Sequence, residues 1–146
     1  MSVTASDNLS SIYGPLRLVY GLVPIVAGAD KFFNLLVDWS KYLPAQVAER
    51  LPVSTAQFMM AVGVIEIVAG LLVLAVLPRL GAAIVAIWLV LISINLLIGG
   101  YYDLAVRDLV MALGAYVLEQ VAAYRGESWF GGAAHTPGTT THAVAH

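Results

Sequence analysis

Length and composition place the chain among integral membrane proteins. It has 146 residues, of which 60% are hydrophobic and 11% charged, so it has room for one domain and too few polar residues to cover a water-soluble one. The absence of cysteine excludes disulfides, thiolate-held iron–sulfur clusters and cysteine-based zinc sites, and the net charge of −2 argues against a nucleic-acid partner.

Four apolar segments predict an all-α, integral membrane four-helix bundle. Each is long enough to cross a bilayer, and continuous apolar runs without period-two alternation argue against a β-barrel. The predicted helices span residues 16–37, 54–77, 80–99 and 104–123, within one domain, 1–123. Four crossings place both termini on one side of the membrane. The residues before the first helix are expected to be a retained polar leader, because no basic region precedes the apolar run.

The first predicted helix carries its small and polar residues on one face. They follow one another at alternating spacings of four and three residues: Arg17, Gly21, Pro24, Gly28 and Lys31. Glycines at such a spacing let a second helix approach closely, so we expect this face to point into the bundle. The loop that follows is predicted to contain a turn or two of helix between Pro44 and Pro52.

The second predicted helix holds a carboxyl group near the middle of the membrane. Keeping Glu66 neutral at pH 7 costs about 3.7 kcal/mol, and leaving it charged in lipid costs more. Gly63 and Gly70 lie about one turn to either side on the same helix face, where another helix can pack. We therefore predict that Glu66 faces the protein interior, within reach of a basic or hydrogen-bonding residue.

A short turn leads directly from the second helix into the third, so these two helices are predicted to be antiparallel neighbours. Trp88, Ile92 and Asn95 share one face of the third helix, where the amide can meet polar groups on other helices. Arg107 and Asp108 lie inside the fourth apolar segment. All four helices thus carry polar residues that need partners inside the bundle.

These residues are predicted to gather in one half of the membrane. Alternating helix directions bring the ends of the first and third helices beside the starts of the second and fourth. The predicted cluster comprises Asp30, Lys31, Glu66, Asn95, Tyr101, Arg107 and Asp108. We expect its two cations to share one ion-pair network with its acids. Such a cluster either locks helices together, or lines a cavity in which acids exchange protons and cations hold an anionic or quinone oxygen.

Residues 124–146 are predicted to form a polar tail. Its histidines, His135, His142 and His146, lack a recognisable metal-ligand spacing, so no metal site is expected. Basic residues outside the membrane lie three on the terminal side and two on the opposite side: Arg17, Arg79 and Arg125 against Lys41 and Arg50. This excess favours cytoplasmic termini.

Three motifs lie in order on successive predicted helices. They are RLVYGLVPIVAGADKF, with Arg17, Gly28 and Lys31; IEIVAGLLVLAVLPRLGA, with Glu66, Gly70 and Arg79; and YDLAVRDLVMALGA, with Arg107 and Asp108. Between Tyr13 and Ala123, the chain resembles the DoxX-like family of small four-helix membrane proteins. The resemblance implies a four-helix bundle, and relatives are described as membrane subunits of thiosulfate:quinone oxidoreductase or as companions of terminal oxidases and other redox enzymes. The tail and Pro24 are not part of the pattern.

The residues and the resemblance together suggest an accessory or quinone-proximal membrane subunit of a respiratory or other redox complex, in a bacterial or archaeal cell membrane. No helix carries a histidine to ligate haem, and no glycine-rich nucleotide fingerprint is present, so redox activity is expected only with partner subunits. Quinone is the expected small-molecule partner, beside the lipid bilayer. A small proton-coupled transporter and a purely structural subunit are the alternatives, and the lack of an internal repeat does not favour transport.

Overall fold

The computed structural model describes residues 5–131. They form helices joined by turns and short irregular segments, and no strand occurs among them. In chain order the helices are α1 (Ala5–Phe33), a 3₁₀ helix (Trp39–Tyr42), α2 (Ala45–Ala48), α3 (Thr55–Leu71) with a π-helical turn (Leu72–Val76), α4 (Pro78–Ile98) and α5 (Tyr102–Tyr124). The all-α prediction is confirmed. The short helix α2 also confirms the turn expected between Pro44 and Pro52.

Three helical stretches are long and apolar enough to cross a membrane: Asn8–Phe33, Thr55–Val76 and Pro78–Ile98. Helix α5 is of similar length but carries four charged residues: Asp103, Arg107, Asp108 and Glu119. It packs along α4, and its acids Asp108 and Glu119 are buried against the protein. Because the exposed side chains of the long helices are mostly large and apolar, the outer surface contacts lipid. The chain is therefore an all-α membrane bundle.

Helix α1 packs along α3 through two pairs of glycines. Gly28 lies against Gly63, and Gly21 lies against Gly70. A Cβ atom added to Gly28 would lie 2.5 Å from the carbonyl oxygen of Gly63, and one added to Gly63 would lie equally close to the carbonyl of Gly28. Only glycine lets the two backbones approach this closely. This confirms that the small-residue face of the first helix points into the bundle.

The first helix begins earlier than the predicted residue 16. It starts at Ala5, so residues 5–15 of the expected polar leader are part of α1. This extension is held by the far end of α5, where Tyr13 donates a hydrogen bond to Glu127 and Arg125 donates one to Ser10 over 2.9 Å. These contacts place the start of α1 and the end of α5 together, at what we call the terminal end of the bundle.

The first helix also ends earlier than the predicted residue 37. Its last residue is Phe33, and Asn34 follows with a φ of 50°, the left-handed conformation that stops helices. The Asp30 carboxylate accepts hydrogen bonds from the backbone N–H groups of Leu35 and Leu36, at 2.9 and 3.0 Å. Asp30 therefore fixes the turn that leads into the 3₁₀ helix.

A single residue, Leu77, joins the π-helical turn to α4. Pro78 opens α4 slightly before the predicted start, because proline suits the first position of a helix. Arg17 donates hydrogen bonds to the carbonyl oxygens of Val73 and Leu74, at 2.9 and 2.6 Å, and so satisfies acceptors where the helix stops. Helices α3 and α4 contact each other, as predicted for two helices joined by so short a turn.

Helix α5 runs to Tyr124, and the described chain continues to residue 131. Trp129 packs under the guanidinium group of Arg79, whose central carbon lies 4.3 Å from the ring centroid. Arg79 also pairs with the buried Glu119 at 2.8 Å, at the terminal end of the bundle. The prediction about the three histidines, His135, His142 and His146, lies outside the described residues.

Candidate functional site

A cavity of about 690 Å³ lies between α1, α3, α4 and α5. The 3₁₀ helix Trp39–Tyr42 covers it, at what we call the loop end of the bundle. Most of its lining is apolar, and the charged and hydrogen-bonding residues that line it are Lys31, Trp39, Tyr42, Glu66, Trp88, Asn95, Arg107 and Asp108. Five of the seven residues predicted to cluster are among them. The other two, Asp30 and Tyr101, lie outside the lining.

Lys31 and Glu66 form a buried ion pair on one wall. The Lys31 Nζ atom lies 2.6 Å from Glu66 Oε2, and the two side chains are 4% and 7% exposed. The contact between Gly28 and Gly63, one turn away on each helix, brings the backbones close enough for the pair to form. Glu66 therefore faces the interior with a basic partner, as predicted. Breaking such a pair leaves an uncompensated charge in a medium of low dielectric constant.

The indole ring of Trp39 covers the ammonium group of Lys31. The Lys31 Nζ atom lies 3.7 Å from the ring centroid, within the range of a cation–π contact. Trp39 Nε1 donates a hydrogen bond of 2.7 Å to Asp30 Oδ2. Asp30 thus acts on the cavity through Trp39, whose ring it holds above Lys31, rather than through an ion pair with Lys31.

Arg107 and Asp108 form a second ion pair on the α5 wall. Arg107 Nη2 lies 3.1 Å from Asp108 Oδ1, and the two side chains are 60% and 5% exposed. The prediction of one network that joins both cations is wrong, because each cation pairs with an acid on its own side of the cavity. The exposed guanidinium group of Arg107 lies at the edge of the cavity, whereas the pair formed by Lys31 is enclosed.

Hydrogen bonds from α4 and from the α4–α5 turn fasten the 3₁₀ helix. Asn95 Nδ2 donates to the carbonyl oxygen of Tyr42 over 2.8 Å, and the Tyr101 hydroxyl donates to the carbonyl oxygen of Lys41 over 3.0 Å. The rings of Tyr42 and Tyr101 also meet edge to face, with centroids 5.2 Å apart. Tyr101 therefore supports the cover of the cavity from outside, and Asn95 supports it from within.

Trp88 is a lining residue that was absent from the predicted cluster. Its indole Nε1 is buried and has no hydrogen-bond partner among the described residues. It lies beside the Glu66 carboxyl group without meeting hydrogen-bond geometry. The only signal in the sequence is its spacing of two turns from Asn95, which puts both side chains on one face of α4. That spacing does not tell whether the N–H finds a partner.

The described residues contain no group of three or more histidine, cysteine, aspartate or glutamate side chains placed to hold a metal ion. The acids at the cavity each face a cation on the same wall. The groups present at the cavity suit proton exchange, hydrogen bonding and charge stabilisation, with apolar walls around them.

We expect Trp39→Phe to loosen the cover of the cavity. The variant loses the hydrogen bond to the Asp30 carboxylate and part of the ring above Lys31. Thermal unfolding in detergent should show a transition lowered by about 5 °C. The matched control is Trp129→Phe, which changes the same residue type at the terminal end and keeps an aromatic ring beside Arg79. Equal shifts for the two variants would mean that Trp39 does not fasten the cover.

Comparison with known proteins gave one family match. The model of the family described as DoxX matches residues 14–99, which is more than half of the chain. This stretch covers α1 from Gly14 onward, α3 and α4, and ends before α5. It includes Lys31, Glu66, Trp88 and Asn95 of the cavity. No curated protein and no solved structure matches the chain.

Proposed function

The chain belongs to the DoxX family, and we propose that it serves as a quinone-proximal accessory subunit of a membrane redox complex. In this proposal the cavity between the four long helices receives the quinone ring. The observation that carries it is the buried pair of Lys31 and Glu66, 2.6 Å apart, in the wall of a cavity of about 690 Å³ with mostly apolar lining.

The size and lining of the cavity suit a small, flat, mostly apolar ring. Ligand pockets commonly measure about 300 to 1,000 Å³ and combine apolar walls with a few placed polar groups. A quinone needs apolar surfaces against its ring and hydrogen-bond donors at its carbonyl oxygens. The ammonium group of Lys31 and the guanidinium group of Arg107 supply donors on two different walls.

Reduction of a quinone also requires protons, and the acids of the cavity are suitable carriers. Glu66 lies against Lys31, so it can accept a proton from that ammonium group or give one up without leaving the wall. Asp108 also pairs with a cation, Arg107. Because arginine keeps its proton, Asp108 can exchange protons only with other groups, such as a bound guest. Residues 5–131, the part that the structure describes, contain no histidine to hold haem, so in this proposal the electrons come from a partner subunit.

The proposal includes a place in the cell. The host membrane is that of a bacterium or an archaeon, and the partners are the other membrane subunits of the complex. The excess of basic residues at the terminal end supports cytoplasmic termini. The loop end of the bundle, and the cavity that its 3₁₀ helix covers, would then lie in the half of the bilayer away from the cytoplasm.

Quinone binding and quinone-linked electron transfer in the native assembly test this function. We expect Glu66→Gln to slow electron transfer, because it removes a proton carrier, and Arg107→Gln to weaken quinone binding about five- to tenfold, because it removes a donor. Variants are compared at matched subunit content. The control is Arg50→Gln, a change of an exposed arginine in the loop. If both cavity variants assemble normally and show unchanged quinone binding and electron-transfer rate, the polar residues of the cavity have a purely structural role.

A small proton-coupled transporter is the second candidate. It is favoured by the burial of Glu66 in the same cavity whose edge carries the exposed Arg107. Native purification separates the two functions. Redox subunits in fixed stoichiometry support the accessory role, whereas a chain that purifies alone and moves protons with a solute in vesicles supports transport.

A further inference from the structure

One buried donor in the cavity has no acceptor within the described chain. The indole Nε1 of Trp88 is the buried side-chain nitrogen or oxygen atom without a hydrogen-bond partner among residues 5–131. Buried N–H groups without partners are rare in folded proteins, and each calls for a reason. Trp88 lies on α4 and is one of the residues that line the cavity.

The ammonium group of Lys31 and the amide of Asn95 already have partners inside the chain. Lys31 donates to Glu66 over 2.6 Å, and Asn95 donates to the Tyr42 carbonyl over 2.8 Å. Trp39 offers a contrast, because its Nε1 lies 2.7 Å from an Asp30 oxygen. The two indoles of the cavity therefore differ, since the N–H of Trp39 fastens the cover, whereas the N–H of Trp88 lies beside the Glu66 carboxyl group without meeting hydrogen-bond geometry.

We propose that Trp88 is the specificity-determining donor of the cavity, and that its N–H binds a carbonyl oxygen on the ring of the ligand. The ligand class is a planar ring that carries an acceptor oxygen, chosen over a hydrocarbon ring of the same shape. This inference rests on the proposed function, because it names the group that recognises the quinone oxygen. It makes no statement about electron transfer.

The position of Trp88 beside Glu66 strengthens the assignment. A carbonyl oxygen that accepts from Trp88 Nε1 lies next to the carboxyl group that would carry a proton and to the ammonium group paired with it. Recognition and proton delivery then converge on the same oxygen. The competing use of the indole is a hydrogen bond to Glu66 itself, which would leave no donor for a guest.

The test compares two ligands and two variants of the full-length protein in nanodiscs. Menadione and methylnaphthalene share a ring system and a methyl group, and differ in the two carbonyl oxygens. Trp88→Phe keeps an aromatic ring and removes the N–H, and Trp129→Phe is the control at the terminal end. We expect Trp88→Phe to weaken menadione binding about five- to tenfold, through loss of one buried hydrogen bond, and to change methylnaphthalene binding less than about twofold.

A second measurement uses the unmodified chain, so it holds even where Trp88→Phe fails to fold. The indole N–H resonance of Trp88, identified by elimination in Trp39→Phe and Trp129→Phe, should move downfield on addition of menadione and stay in place with methylnaphthalene. Menadione that binds no better than methylnaphthalene to the wild type overturns the proposed function and this inference together. If the wild type prefers menadione but the Trp88 resonance does not move, the role of Trp88 alone is overturned. The same holds if a folded Trp88→Phe variant binds menadione with unchanged affinity.

Discussion

Replacement of Lys31 by methionine is expected to destabilise the protein by about 3 to 5 kcal/mol, the cost of leaving one member of a buried ion pair unpaired. Methionine fills a similar volume but offers no charge to the Glu66 carboxylate, which is 7% exposed and has its ion-pair contact with Lys31. The matched control is Lys41→Met, because Lys41 is exposed on the 3₁₀ helix, where its ammonium group lies 4.9 Å from the centroid of the Tyr42 ring. Its removal should cost less than about 1 kcal/mol.

A double-mutant cycle isolates the pair from the packing of its members. We expect Lys31→Met combined with Glu66→Gln to be more stable than the sum of the two single changes predicts, because neither charge then stays behind unpaired. The measurement is reversible unfolding in mixed micelles. Strictly additive effects, or a Lys31→Met variant no weaker than Lys41→Met, would show that the pair contributes nothing to stability.

Gly63→Ala is expected to destabilise the bundle by about 2 to 3 kcal/mol, as overpacking of a closely fitted contact does. The new Cβ atom would lie 2.5 Å from the carbonyl oxygen of Gly28 and 3.2 Å from the Lys31 Cβ atom. A backbone carbonyl in a helix cannot turn aside, so α1 and α3 must separate. That separation also pulls Lys31 away from Glu66.

The same substitution elsewhere on the bundle should have a much smaller effect. A Cβ atom added to Gly14 meets nothing within 4 Å, and the residue lies in the exposed part of α1. Helix propensity favours alanine by about 0.5 to 1 kcal/mol, but Pro15 follows directly, and its ring disfavours a Cβ atom on the helical residue before it. Because these two effects oppose each other, Gly14→Ala should change the stability by less than about 1 kcal/mol. Unfolding free energies of the two variants, measured under the same conditions, give the comparison. A change of equal sign and size at both positions would mean that the close approach of α1 and α3 is not tight.

The inward faces of α1 and α3 could be predicted from the sequence because they follow from spacing within single helices. The two contacting glycines of α1 lie seven residues apart, as do those of α3, so each pair marks one face of its helix, and close approach requires such a face. The place of Glu66 follows from the cost of exposing an acid to lipid. Both inferences use only the spacing of residues along the chain and the cost of exposing a charge to lipid.

Asp30 and the start of α1 are features that residue spacing alone does not predict. Asp30 precedes Lys31 in the chain, yet one residue of an α-helix turns the side chain by about 100°, so the two point in different directions. Whether Asp30 meets a cation or the turn after α1 depends on Asn34, whose left-handed conformation ends the helix. Likewise, the start of α1 lies outside the apolar run, and only its contacts with the end of α5 reveal it.

Trp88 illustrates a different limit. An indole N–H on an inward face finds a partner in most proteins, and the sequence offers several candidates on the neighbouring helices. The absence of one depends on side-chain positions that differ by fractions of an ångström. The cavity also depends on the positions of side chains, because it lies where four helices leave space between them.

The two ion pairs of the cavity also determine how the site responds to membrane voltage. Lys31 with Glu66, and Arg107 with Asp108, sum to no net charge on either wall. A potential of 100 mV does about 2.3 kcal/mol of work on each elementary charge carried across the whole bilayer, and almost none on a neutral pair that stays in place. A neutral guest can therefore enter and leave an energised membrane without electrical work. A proton that crosses the bilayer by way of Glu66 is the species that would couple the cavity to the potential.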